Sequence, residues 1–120
     1  MRAKLLEAAL DEFHNTGCAI EGAAIVSMDG LIMGSRLPGH YDEDRLAAIS
    51  SAISSLSTRV ASEFERGRFD QILVKGDRGT FLITASGEDA MVVALSANDA
   101  KLGMVMHESR LLAEEVQRIL

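Results

Sequence analysis

Apolar residues near the N-terminus recur every three or four positions, the spacing of one face of an α-helix. They are Ala3, Leu6, Leu10 and Phe13. Asn15 and Gly17 follow, and both residue types are common where a helix ends. The pattern therefore predicts a first helix that ends near Asn15.

The next segment is rich in small and β-branched residues and predicts two strands. They are AIEGAAIVSM from Ala19 and LIMGSRL from Leu31, with Asp29-Gly30 between the apolar runs. An Asp-Gly pair suits a two-residue type I′ turn, in which both positions need positive φ. The sequence places no base, nucleophile or metal ligand beside Asp29, so a turn is favoured over a catalytic carboxylate.

The longest helical pattern runs from about Asp42 to Arg66 and carries two adjacent stripes. The first, the apolar stripe, consists of Leu46, Ile49, Ile53, Leu56 and Val60. The second, the small-residue stripe, consists of Ala47, Ser50, Ser54, Ser57 and Ala61. The apolar stripe is predicted to lie on a sheet. The spacing of the small-residue stripe suits either close approach of another backbone or a solvated serine face, and it leaves both open.

Three further apolar runs with short connections predict an antiparallel meander of strands. They span Phe69 to Lys75, Thr80 to Ala85 and Met91 to Leu95. A last helical pattern predicts a helix from about Asp99 to the end, with Asn98 as its N-cap. The whole order predicts an α+β fold in a single domain over residues 1–120, with a five-stranded sheet and helices on both faces.

Composition indicates which classes of partner and which cellular compartment are expected. The formal net charge is -6 and no run of Lys or Arg occurs, so no nucleic-acid partner is expected. Cys18 is the only cysteine, which indicates a reducing, cytoplasmic location. The longest uncharged stretch, Leu46 to Thr58, is too short and too polar to span a bilayer, so no membrane insertion is expected.

Sequence motifs for catalysis and cofactor binding are lacking. The three histidines, His14, His40 and His107, are scattered and form no metal-ligand pair. The loop Gly76-Asp77-Arg78-Gly79 lacks the Gly-Lys-Ser/Thr ending of a nucleotide-binding loop, and it is interpreted as a hairpin turn. The sequence therefore predicts a protein that is not an enzyme and has no cofactor and no metal.

Four segments together resemble the roadblock / dynein light chain family, in its short prokaryotic MglB-like branch. They are GAAIVSMDGLIMGSRLP, EDRLAAISSAISSLSTRVASEF, ILVKGDRGTFLITASGEDAMVVALSAN and KLGMVMHESRLLAEEVQRIL. The resemblance implies a roadblock-like, profilin-like α/β/α sandwich. In it, the middle helix covers one face of a five-stranded antiparallel sheet and the terminal helices cover the other.

The resemblance also implies a homodimer in which the middle helices pair antiparallel and the strands after them join into one sheet. Its predicted interface residues are Ala47, Ser50, Ser54, Ser57, Ala61, Gln71 and Leu73. Proteins of this family commonly act on or beside Ras-like small GTPases, without supplying an arginine finger. The predicted GTPase-contact residues are Ser55, Arg59, Ser62 and Arg66.

The implied function is a non-enzymatic regulator, a homodimeric platform that binds a Ras-like small GTPase and modulates its GTP hydrolysis. A dimeric scaffold without effect on hydrolysis is the first alternative. The second is a small-molecule sensor, because a sheet covered on both faces by helices can enclose a pocket. Thr84 and Ser27 are the main polar groups within the apolar strands that could orient such a ligand.

Overall fold

The computed structural model describes residues 1–120 and contains three helices and one five-stranded antiparallel sheet. The elements are α1 (Arg2–His14), β1 (Ile20–Ser27), β2 (Ile32–Arg36), α2 (Glu43–Glu63), β3 (Gln71–Gly76), β4 (Gly79–Ser86), β5 (Ala90–Ser96) and α3 (Leu102–Ile119). The strand order is β2-β1-β5-β4-β3, so β2 and β3 form the two edges of the sheet. The predicted element order and five-stranded α+β fold are confirmed.

The sheet divides the interior into two apolar clusters. On one face α1 and α3 pack on strand residues that include Ile25, Leu82 and Val92. On the other face α2 packs on residues that include Val26 and Val93. Because successive strand residues point to opposite faces, a nearly continuous apolar run such as that of β1 can supply both clusters. The α/β/α layering is therefore as predicted.

The connection between β1 and β2 has four residues, Met28 to Leu31, and differs from the predicted two-residue type I′ turn. The Gly30 amide donates to the Ser27 carbonyl at 3.0 Å, and the Ser27 amide donates to the Leu31 carbonyl at 2.9 Å. Only Gly30 has positive φ, at 88°. This is the pattern of a turn closed by one left-handed glycine, and Asp29 needs no unusual backbone. Asp29 is exposed there, consistent with its turn assignment.

The N-terminal boundary predicted from local sequence is correct for α2 and wrong for α3. Asp42 caps α2 by accepting bonds from the amides of Asp44 at 3.0 Å and Arg45 at 3.2 Å. The prediction for α3 was wrong at its start, because the helix begins at Leu102 with Lys101, not Asn98, at the N-cap position. Lys101 supplies no side-chain cap, so sequence preference alone misplaced this boundary.

Candidate interaction surface of the middle helix

The small-residue stripe of α2 faces the protein's own sheet, which corrects the prediction that it forms a dimer interface. Ala47 and Ser50 have no exposed surface, Ser54 is 2% exposed and Ala61 is 7% exposed. Residues with so little exposed surface in one copy have almost none to offer a second copy of the same fold. Ser57 is the one member of the stripe that is not buried. The predicted interface therefore loses four of its five helical residues.

Small side chains at these positions allow α2 to lie close to β1 and to the turn after it. The Ser51 hydroxyl donates to the Met28 carbonyl at 2.7 Å, and the Ser54 hydroxyl donates to the Met91 sulfur at 3.1 Å. A Cβ at Gly30 would lie 3.2 Å from the Cβ of Ser51, so the turn itself packs tightly on the helix. Close packing against the sheet is thus the reason for the small residues.

The apolar stripe, by contrast, is largely exposed, which reverses the predicted orientation of the helix. Ile49 is 46% exposed, Leu56 is 64% exposed and Val60 is 50% exposed. Only Leu46 is buried, and Ile53 is partly buried against the sheet. Three large aliphatic side chains therefore face solvent along one flank of α2.

The apolar flank of α2 continues onto the sheet. Ile53 belongs to the same cluster as Phe81 and Leu95, which are only partly buried. A shallow groove of about 490 Å³ lies over this part of the sheet, with Val74, Phe81, Leu95 and the Tyr41 side chain among its walls. No residue of α2 lines this groove, so the helix leaves this part of β3, β4 and β5 uncovered.

Strand β3 forms an unpaired edge next to this groove. Its ladder with β4 pairs Gln71 with Thr84 and Leu73 with Leu82, and the Ala85 amide donates to the Asp70 carbonyl at 2.9 Å. Hydrogen-bonded and non-hydrogen-bonded pairs alternate in an antiparallel ladder. The backbone groups of Gln71, Leu73 and Lys75 therefore point away from β4, toward the free edge.

The side chains of the two predicted strand residues have different environments. Leu73 is 38% exposed. The Gln71 side chain is partly buried and donates to the Thr84 hydroxyl at 3.1 Å and to the Met106 carbonyl at 3.0 Å. Any pairing of Gln71 with a second strand would therefore use its backbone, whereas Leu73 can also offer its side chain.

The four residues predicted to contact a GTPase lie on the exposed side of α2 or just beyond its end. Ser55, Arg59, Ser62 and Arg66 are all exposed. Arg59 forms an ion pair with Glu63 at 3.0 Å, and the Arg66 guanidinium donates to the Phe64 carbonyl at 2.9 Å. Ser55, Arg59 and Ser62 lie on the exposed side of the helix, Arg66 follows its end, and their contacts with a GTPase remain a prediction.

Sequence reasoning missed two exposed apolar residues, one at the end of α2 and one within β3. Phe64, the C-cap of α2, is 68% exposed, and Val74 on β3 is 49% exposed. The signal for Phe64 was its place four residues after Val60, on the same flank. No comparable signal marked Val74, because exposure on an edge strand depends on how far the covering helix extends.

The described side chains show no metal site or membrane-spanning element. No group of three or more His, Cys, Asp or Glu side chains is placed to hold a metal ion. No helix has both the length and the apolar character needed to cross a bilayer. The loop from Gly76 to Gly79 is the tight turn of the β3–β4 hairpin, in which Gly76 pairs with Gly79.

The fold, with one helix leaving an apolar flank beside a free sheet edge, is that of a roadblock-type sandwich. The family model described as Roadblock/LC7 domain matches residues 5–96, and the chain belongs to this family. The uncharacterized protein MJ1340 of Methanocaldococcus jannaschii is 30% identical over 113 residues, which cover 94% of this chain and 97% of that protein. The family predicted from the sequence is thus confirmed.

Two solved structures show the same fold at low identity. MglB of Myxococcus xanthus superposes with a TM-score of 0.91 at 17% identity, over 98% of this chain and 88% of that chain. The gliding protein MglB of Thermus thermophilus gives a TM-score of 0.87 at 19% identity, over 98% and 90% of the two chains. These neighbours match the predicted MglB-like branch in fold.

Proposed function

We propose that this protein is a homodimeric platform that binds a Ras-like small GTPase and modulates its GTP hydrolysis. The observation that carries the proposal is the exposed apolar flank of α2, which continues onto the open part of the sheet beside the free β3 edge. Membership of the Roadblock/LC7 family supports it, since proteins of this family commonly act on or beside such GTPases.

The dimer is proposed to form through the apolar stripe and the β3 edge, in place of the small-residue stripe. A two-fold axis pairs the same surface of both copies, so Ile49, Leu56 and Val60 count twice. Burying the exposed halves of these side chains contributes about 1 kcal/mol each, or about 6 kcal/mol for the dimer. Association itself costs about 4–15 kcal/mol. Backbone pairing at Gln71 and Leu73 would therefore add a necessary part of the stability.

The GTPase is proposed to bind the side of α2 that such a dimer leaves free. By the 100° rotation per helical residue, Arg59 and Ser62 lie roughly 100° and 160° from Val60 around the helix axis. The two copies would thus present two sets of Ser55, Arg59, Ser62 and Arg66 on one composite surface. Arg59 is held by Glu63 within its own helix, so it suits docking better than insertion into a catalytic centre.

The decisive experiment mixes the purified protein with each Ras-like GTPase encoded in the same genome. Calorimetry would measure binding to the GDP and GTP forms, and phosphate release would measure hydrolysis. We expect one GTPase to bind and its turnover to change. Binding by none of them would overturn the proposal.

A matched pair of variants locates the contact. Arg59→Glu reverses one charge on the outward side of α2 and is expected to weaken GTPase binding. Arg118→Glu makes the same change near the end of α3 and is expected to leave binding unchanged. Equal loss in both variants would mean that net charge, and not the α2 surface, governs association.

A dimeric scaffold that binds without altering hydrolysis is the second candidate function. The same apolar flank and free edge favour it, because both features serve assembly and neither supplies a catalytic group. Binding of a GTPase at unchanged turnover in the same assay would support the scaffold over the regulator.

A further inference from the structure

A polar cleft of about 680 Å³ lies on the other flank of α2. Its walls come from that helix, from the segment that leads into β3, and from the turns after β1 and β4. The volume falls within the usual range of small-molecule sites. Neither Ser27 nor Thr84, the residues expected to orient a ligand, belongs to its lining. We refer to it as the hydroxyl cleft, because Ser51, Ser54, Ser55, Thr58 and Ser62 line one side.

Two hydroxyls of this cleft, those of Ser51 and Thr58, already donate hydrogen bonds within the protein; we call them the inner hydroxyls. Ser51 donates to the Met28 carbonyl at 2.7 Å, and Thr58 donates to the Ser54 carbonyl at 2.8 Å. A hydroxyl has one proton to donate and two lone pairs that accept. While they make these bonds, Ser51 and Thr58 can offer a ligand only acceptor oxygens, so the complementary ligand group is a hydrogen-bond donor, either an N–H or an O–H.

Among the side chains of the cleft, the Ser54 hydroxyl is the clearest candidate to accept a hydrogen bond from a ligand. Its side chain is among the least exposed in the cleft lining, at 2% for the residue, and its only partner is the sulfur of Met91 at 3.1 Å. A thioether is a weak acceptor, and no group donates to the Ser54 oxygen. A buried oxygen with free lone pairs beside a cavity is an unfilled site for a donor.

The rim of the cleft carries one charge of each sign. Arg68 and Glu88 both line it, and they form an ion pair with each other. A purely anionic ligand that took Arg68 would leave the Glu88 carboxylate facing it, and a purely cationic ligand would meet the Arg68 guanidinium. A ligand with both charges can replace this pair by two new ones, with its carboxylate on Arg68 and its ammonium near Glu88 and the inner hydroxyls.

We propose that the hydroxyl cleft binds a small zwitterion, a free α-amino acid being the simplest compound of this class. The ammonium supplies the N–H donors that Ser51, Ser54 and Thr58 accept, and the carboxylate accepts from Arg68. The inference does not rest on the proposed GTPase partner, although Ser55 and Ser62 line the cleft and are also predicted GTPase contacts, so a docked GTPase would cover part of it. Ser62 in the cleft and Val60 in the apolar stripe lie roughly 160° apart around α2, so the cleft stays open in the proposed dimer.

The test titrates the full-length protein with L-serine and L-glutamine and follows its backbone amides by two-dimensional NMR. We expect saturable shifts at Ser54, Thr58, Arg68 and Glu88 with at least one of the two amino acids. N-acetyl-L-serine and N-acetyl-L-glutamine lack the ammonium. L-serinamide and the α-amide of L-glutamine lack the carboxylate. Each is expected to bind about tenfold more weakly than its parent, since it loses a charge-assisted hydrogen bond.

Variants separate the cleft from general surface binding. Arg68→Gln and Glu88→Gln, both at exposed positions that tolerate change, should each weaken amino-acid binding about tenfold. Arg118→Gln, away from the cleft, should leave the affinity as it is. Absence of saturable shifts with both amino acids would overturn the proposal, as would derivatives that bind as tightly as their parents.

Discussion

Gln71 on the edge strand β3 donates through its side-chain amide to the backbone carbonyl of Met106 in α3, at 3.0 Å. The same amide reaches the Thr84 hydroxyl at 3.1 Å. A second link joins the two elements nearby, where Arg110 pairs with Asp70 at 2.9 Å. The C-terminal helix thus holds the strand whose free edge is proposed to join a second copy.

Replacing the Gln71 amide by a carboxylate is expected to loosen this link. Gln71→Glu keeps the shape of the side chain but turns a donor into an acceptor that faces the Met106 and Thr84 oxygens. We expect the free energy of unfolding to fall by about 2 kcal/mol at neutral pH, measured by urea denaturation. Gln117→Glu is the control, since Gln117 is exposed, and it should change stability by less than about 0.5 kcal/mol.

Leu56→Glu tests the corrected dimer interface. Leu56 is 64% exposed in one copy, so the substitution should leave the fold intact while placing two carboxylates in the apolar contact. Light scattering should then report a monomer where the unchanged protein gives a dimer. Ala48→Glu adds the same charge at an exposed position off the apolar stripe and should remain dimeric. A dimeric Leu56→Glu protein would exclude this flank as the interface.

Gly79→Ala is expected to be severely destabilising, for a reason that is visible only in the structure. Gly79 has φ of 137°, and a Cβ there would lie 2.3 Å from the Ser96 carbonyl oxygen. A loss of more than about 3 kcal/mol in thermal or chemical unfolding follows from the clash and the strained backbone together. Gly39→Ala, where a Cβ meets open space, should be neutral or slightly stabilising.

Ser50→Ala should stabilise the protein. The Ser50 hydroxyl is fully buried and has no hydrogen-bond partner, so its removal relieves an unsatisfied polar group. Alanine also has the higher helix propensity, and the expected gain is about 1 kcal/mol in calorimetric unfolding. Ser55→Ala on the exposed side of the same helix isolates the propensity effect and should gain less than about 0.5 kcal/mol. Equal gains would show that burial of the Ser50 hydroxyl costs nothing.

Element type was predictable along most of the chain, because local periodicity and turn residues report directly on backbone conformation. Alternating and continuous apolar runs marked all five strands, and Asp42 marked the start of α2. The boundary was misplaced where several polar residues compete for one cap, as in the segment before Leu102. The turn at Gly30 was located correctly, but its type depended on one φ angle that the dipeptide does not determine.

The candidate site, too, was predictable from the sequence only in part. The sequence by itself determined the family, the element order and the existence of two stripes on α2, since these depend on local pattern and on residues in fixed order. Only the tertiary structure decided which stripe faces the sheet. Ser50 and Ser54 are buried and Leu56 is exposed because close packing on β1 admits only small side chains, and helical spacing alone carries no record of that distance. The same packing opened the hydroxyl cleft, whose walls come from segments far apart in the chain.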